Sequence, residues 1–257
     1  MNGAPWTAAA AAALLGATLT GCSSDGPTAA PSEPAPPAVD GPCHALAEGT
    51  VRFEAEGAER VLFATADHRA DTEVELTGCL RVDGGYAQEW SAPGFIGQGG
   101  FGPPQATEAD SLQTPTGSYT MTEGFGREDP GTALEYQALN PASRWGGRKG
   151  PTFNEYFEGR GAGPDENLWD LMEAGLYEQA VVINFNRPPD AVAQHGLSYA
   201  IFLHAGLTES WGCVSTDLET VTRVLRDATP GDRIIMGAVD DVFRQEPPPP
   251  PSSPPST

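Results

Sequence analysis

Short apolar segments in period-two alternation, separated by turn-forming residues, recur along most of this chain. Val51/Phe53/Ala55, Val61-Leu62-Phe63, Val74/Leu76 and Leu80/Val82 follow that rhythm from Cys43 onward, and Asp83-Gly84-Gly85 provides a tight turn. Further on, Val181 to Asn186 (V-V-I-N-F-N) and Ser198 to Leu203 read as strands, the second ending in His204. Arg233 to Val239 forms a last strand after the turn Thr229-Pro230-Gly231-Asp232. Helical spacing is confined to two places. Leu168, Leu171, Met172 and Leu176 share one face within Asn167 to Gln179, and Leu218, Val221 and Leu225 share another behind a Thr216/Glu219 capping-box pattern. The expectation is a mainly β domain with a few short helices.

Composition sharpens the boundaries. The 257 residues include 31 Gly and 25 Pro, which favours turns over long helices. Ala8 to Leu19 is an apolar run too short to cross a bilayer and reads as the core of a secretory signal. Leu19-Thr20-Gly21-Cys22 resembles the lipobox of bacterial lipoproteins, which implies that Cys22 is lipidated. Ser23 to Pro42 has no apolar periodicity and reads as a tether, and Gln245 onward as a proline-rich tail. The predicted layout is a lipoprotein signal over residues 1–22, a tether over 23–42, one folded domain over 43–244 and a tail over 245–257. A net charge of −21, with Lys149 as the single lysine, excludes nucleic acid as a partner and excludes electrostatic attachment to an anionic membrane. A lipid anchor would therefore have to hold the chain to a membrane.

The candidate chemistry lies between Ser198 and Thr216. His204 ends a predicted strand, and Ser210-Trp211-Gly212-Cys213 leads toward the second predicted helix. A thiol attacks as its thiolate and needs a base, so a Cys and a His flanking one loop are a plausible nucleophile and base. The spacing places Cys213 just before a helix N-terminus, and both that helix and His204 are expected to lower the thiol pKa. Gly212 permits close backbone approach, so the N–H groups of Gly212 and Cys213 are candidates for an oxyanion hole. Gly94 to Gly102 lacks the Gly-Lys-Ser/Thr of a phosphate loop and reads as a turn-rich approach. His195, without a suitably spaced partner, reads as a loop residue, and no metal or cofactor is expected.

The run from Ser198 through Gly212-Cys213-Val214 resembles the catalytic motif of the L,D-transpeptidase (YkuD-type) domain. Thr114-Pro115-Thr116-Gly117-Ser118-Tyr119 resembles that family's Thr-Pro turn, preceded by Ile96-Gly97, and Val181 to Asn186 resembles the strand before the histidine strand. The likeness extends from about Arg60 to Gly237. Trp211 stands where many members carry a second histidine. The resemblance implies a β-sandwich-type catalytic domain that cross-links peptidoglycan stem peptides through a Cys213 acyl-enzyme. A lipoprotein of this kind would sit on the outer face of the cell membrane, facing the wall. An L,D-carboxypeptidase using the same pair and a non-catalytic wall-binding lipoprotein are the alternatives. Ser210, Trp211, Tyr199, Arg144 and Arg148 are the candidate substrate contacts, the two arginines because stem peptides carry free carboxylates. With Cys22 assigned to lipid and Cys213 to catalysis, Cys43 and Cys79 remain to pair as a disulfide outside the cytoplasm.

Overall fold

The computed structural model describes residues 41–244, with residues 56 and 105 excepted. The signal, Cys22, the tether through residue 40 and the proline-rich tail lie outside the described residues. Within them the domain is mainly β, as the alternation predicts. It opens with α1 (Pro42–Ala47), continues through the meander β1 (Arg60–Ala66), β2 (Glu73–Val82) and β3 (Gly85–Phe95), and then enters β4 (Gly117–Gly126) and β5 (Glu135–Ala138). A separate small sheet holds β6 (Ser143–Trp145), β7 (Tyr156–Glu158) and β8 (Glu166–Asn167), with β6 in the middle. The chain goes on through α2 (Leu168–Glu173), β9 (Gln179–Ile183), β10 (Phe202–Ala205), β11 (Val214–Thr216), α3 (Leu218–Asp227), β12 (Arg233–Ala238) and α4 (Val239–Val242).

The main sheet runs β12-β1-β2-β3-β11-β10-β9-β4-β5, and a further β12–β4 pairing closes all of it but β5 into a barrel-like ring. The expected sandwich is thus replaced by a sheet joined to itself. The reason is β12, which pairs parallel to β1 on one side and antiparallel to the first half of β4 on the other. Neither of its edges is left open to end a sheet.

Local departures from the sequence reading have local causes. Cys43 to Ala47 is helix, started by Pro42 at the first helical position, where a missing N–H costs nothing. Val51 makes only a single bridge, to Phe243, so the alternation at Val51/Phe53/Ala55 builds no strand. β9 stops at Ile183, and Asn186 beyond it takes a left-handed φ of 54°. The last strand ends at Ala238, where α4 takes over.

Alternating residues of the ring feed different apolar clusters. Leu62, Leu76, Met121, Val181, Ile183, Leu203, Val214, Ile234 and Met236 form the main core with Val221, Val224 and Leu225 of α3. On the opposite face of β1, β2 and β12, Val61, Phe63, Cys79 and Ile235 pack with Cys43 and Val242. Cys43 and Cys79 are joined there as the expected disulfide. On the opposite face of β9 and β10, Ala180, Val182 and Phe202 pack with Phe125, Trp145, Leu168, Met172, Tyr177 and Cys213.

Candidate active site

The site is built on β10 and β11, which lie side by side and parallel. Leu203 pairs with Val214 and His204 with Ser215, so the register continued one step back sets Phe202 beside Cys213. Side chains alternate along each strand, which turns Phe202, His204 and Cys213 to one face and Leu203 and Val214 to the barrel core. Diagonal neighbours on adjacent strands are about 7–8 Å apart. Cys213 and His204 therefore share a face without being paired across it.

Neither group hydrogen-bonds the other in this arrangement. Cys213 Sγ donates to the Ala200 carbonyl at 3.3 Å. His204 Nδ1 lies 2.7 Å from the Ala205 carbonyl oxygen, which can only accept, so Nδ1 carries the proton. In a neutral ring Nε2 is then the basic nitrogen. Both residues are buried, at 7% and 6% exposure. Burial lowers the His204 pKa, against the Ala205 and Leu176 carbonyls, which favour the charged ring.

The thiol departs from the sequence expectation. Burial first, and the Glu166 carboxylate second, push the Cys213 pKa up, although the Phe202 N–H and the Tyr177 hydroxyl favour the thiolate. No helix start counteracts this, because β11 separates Cys213 from α3. The α3 N-cap is Asp217 rather than Thr216, and its side chain accepts from the Thr220 N–H. The dipole of α3 therefore begins beyond β11, away from the sulfur.

Segments far apart in sequence fix the backbone at the nucleophile. The buried Thr114 hydroxyl donates to the Gly212 carbonyl at 2.9 Å, and the Gly97 N–H donates to Thr114 Oγ1 at 2.9 Å. A Cβ on Gly97 would lie 2.2 Å from the Leu112 carbonyl oxygen and 3.1 Å from the Gly212 Cα, so only glycine fits this approach. Ile96-Gly97 and the Thr-Pro turn thus meet the Gly-Cys segment. Ser210 Oγ donates to the Cys213 carbonyl at 2.6 Å and accepts the Gly212 N–H at 3.0 Å. The Gly212 N–H predicted for an oxyanion is thereby occupied, and Ser210 would have to rotate to release it.

The segment behind Cys213 is held in an unusual conformation. Ala200 has φ of 54°, so β10 starts at Phe202 rather than at the predicted Ser198. That left-handed turn aims the Ala200 N–H at Asn154 Oδ1, 3.0 Å away, and its carbonyl at the thiol. Asn154 is a buried hub. It accepts the Trp145 indole N–H at 3.0 Å and donates to the Phe185 and Asn186 carbonyls at 3.1 and 3.0 Å. Buried Arg187 donates to the Asn154 carbonyl, binds Asn184, Glu123 and Glu155, and lies over the Trp145 ring.

The other candidate contacts are arranged differently. Trp211 is 79% exposed beside the Gly-Cys segment. Tyr199 donates to the Pro164 carbonyl at 3.1 Å. Arg144 is committed to the Pro141 and Ser143 carbonyls and to Asn167 Oδ1, and Arg148 to Asp165, so both expected carboxylate readers already serve the small sheet and its loops. His195 packs against the Phe153 ring in its loop. Tyr177 and Glu166 were not predicted. Tyr177, 5% exposed, sets its ring edge-on to His204 at 5.2 Å and donates to Glu166 Oε2 at 3.0 Å. No periodic signal marks either one, and only the position of Glu166 directly before a helix cap sets it apart.

No family model and no curated protein sequence match the chain. Among solved structures it is similar to Bd1075 of Bdellovibrio bacteriovorus, with a TM-score of 0.39 and 16% identity over 77% of this chain and 54% of that one. It is also similar to an L,D-transpeptidase from Mycobacterium smegmatis, with a TM-score of 0.32 and 17% identity over 71% of this chain and 60% of that one. The chain thus spans between half and two thirds of the length of these structures. A likeness of this size carries no weight for the reaction, which has to be inferred from the residues.

Proposed function

We propose that this chain is an acyl transferase of the L,D-transpeptidase kind, acting on peptidoglycan stem peptides with Cys213 as nucleophile and His204 as base. The observation that supports the reading is the common face of β10 and β11, on which the thiol and an imidazole with its Nδ1 proton tied to Ala205 stand together. A thiol held protonated fits proton transfer at the moment of attack better than a standing thiolate. As sulfur bonds to the stem-peptide carbonyl carbon, its proton moves to His204 Nε2. The carbonyl oxygen becomes an oxyanion near the Cys213 N–H and, once Ser210 turns, the Gly212 N–H.

Collapse of that intermediate breaks the C–N bond, and the leaving amine takes the proton from His204. A second stem amine then gives a proton to Nε2, attacks the thioester and releases the sulfur, to which the proton returns. With water as acceptor the same steps give a carboxypeptidase. Lipidation at Cys22 would hold the enzyme on the outer face of the membrane, within reach of the wall. Trp211 beside the nucleophile and Tyr199 are the substrate contacts in this reading.

Intact mass spectrometry after incubation with a carbapenem tests the proposal. A covalent adduct on the wild type, absent from Cys213→Ala, is the expected result. An unmodified wild type after incubation with carbapenem and with stem tetrapeptide would favour a wall-binding lipoprotein instead.

A further inference from the structure

The proposed reaction leaves two ionisable groups unused beside the sulfur. Tyr177 follows α2 and is nearly completely buried, in the cluster that holds Cys213 and against the His204 ring. Its hydroxyl donates to Glu166 Oε2 at 3.0 Å, and its side chain shares one buried cluster with Cys213, where it favours the ionised sulfur. One hydroxyl carries one proton, so it cannot donate to a carboxylate and a thiolate together. We propose that Glu166 and Tyr177 are positioning residues for Cys213. Protonated Glu166 donates to the Tyr177 oxygen and frees the tyrosine proton for the sulfur, whereas ionised Glu166 draws that proton away.

The inference rests on the reading of Cys213 as a nucleophile and adds how its ionisation is controlled. No atom is gained or lost in the relay, since the sulfur proton still goes to His204 Nε2. The groups facing the Glu166 carboxyl are consistent with it. Tyr177, Tyr199 and Cys213 all feel its charge, and among the described residues no cation pairs with it: Arg144 of β6 is bound to Asn167 and Arg148 to Asp165. Burial, opposed by the Tyr177 bond, moves the Glu166 pKa up to about 7. The carboxyl would therefore change state near neutral pH.

The test is the iodoacetamide alkylation rate of the purified full chain between pH 6 and 9, read at the Cys213 peptide by mass spectrometry so that no other site contributes to the signal. In the wild type the logarithm of the rate is expected to rise less steeply than one decade per pH unit while Glu166 ionises. Glu166→Gln keeps a donor to Tyr177 and removes the charge, so its profile should keep unit slope. At pH 8 to 9 it should exceed the wild type by about tenfold for each unit by which the thiol pKa falls. In a Tyr177→Phe background that gain should shrink.

Coincident profiles for wild type and Glu166→Gln would overturn the proposal, as would an undiminished gain without the tyrosine hydroxyl. Unit slope in the wild type would overturn it without any variant. Alkylation needs no peptide substrate, so the two readings fail separately. A thiol tuned by Glu166 that forms no carbapenem adduct would remove the transpeptidase reading and leave this one standing.

Discussion

Two outer faces of the same closed sheet are covered in opposite ways. Over β1, β2 and β12 the cover is apolar and covalent: Phe63, Val61, Ile235 and Val242 around the Cys43–Cys79 bridge. Over β9 and β10 the aromatic rings of Phe125, Trp145, Tyr177 and Phe202 are interleaved with His204, Cys213, Asn154 and Arg187. Buried polar groups add little net stability, but they fix geometry when each is satisfied. The left-handed backbone at Asn154, Asn186 and Ala200 forms one hydrogen-bonded chain that ends at the thiol through the Ala200 carbonyl. The first face serves stability, and the second holds a few atoms in place.

Two substitutions test that division and a third probes the core helix between the faces, in order of expected effect. Phe202→Ala removes the ring at the centre of the second face, 4.9 Å from both Phe125 and Trp145, and is expected to cost about 3–5 kcal/mol in urea denaturation. It should also change the alkylation rate of Cys213. Cys79→Ser opens the disulfide and should cost about 2–4 kcal/mol, with the thiol's pH profile unchanged. A change in that profile would show that the two faces are coupled.

Asp217→Ala removes the α3 cap and should cost about 1 kcal/mol at neutral pH. Burial works against the Asp217 charge, but hydrogen bonds from Thr220 hold its pKa below the ordinary value. A carboxylate depressed on folding contributes above its unfolded pKa and loses that contribution as pH falls through the folded value. The gap between Asp217→Ala and wild type should therefore narrow on acidification, which thermal melts across pH 2 to 7 would detect.

Much of the first face was legible in the sequence, because period-two alternation and a Gly-Gly turn are local signals that survive folding intact. β1, β2 and the hairpin into β3 follow them closely. Closure of the ring was not legible, since it depends on β12 pairing with β4, where Arg233 meets the distant Thr120. At the site, the Gly-Cys segment and the strand-end histidine could be picked out by residue type and order. Their environment could not. A left-handed Ala200 has no sequence signature, an Asn reads alike at the surface and at the centre of a buried network, and a carboxylate carries no mark of the tyrosine it will face. The expected helix start beside Cys213 failed because Val214 to Thr216 can continue a sheet as readily as lead into a helix.

The return from β10 to β11 is short for two parallel neighbours. Residues 206–213 make it, where about a dozen or more is usual. Such a connection has little slack, so its length acts as a ruler for the sulfur. Adding one residue between Cys213 and Val214 while the strand keeps its register would turn the thiol toward the barrel interior, away from the imidazole. In this fold the count of residues in one loop matters to the chemistry as much as their identity.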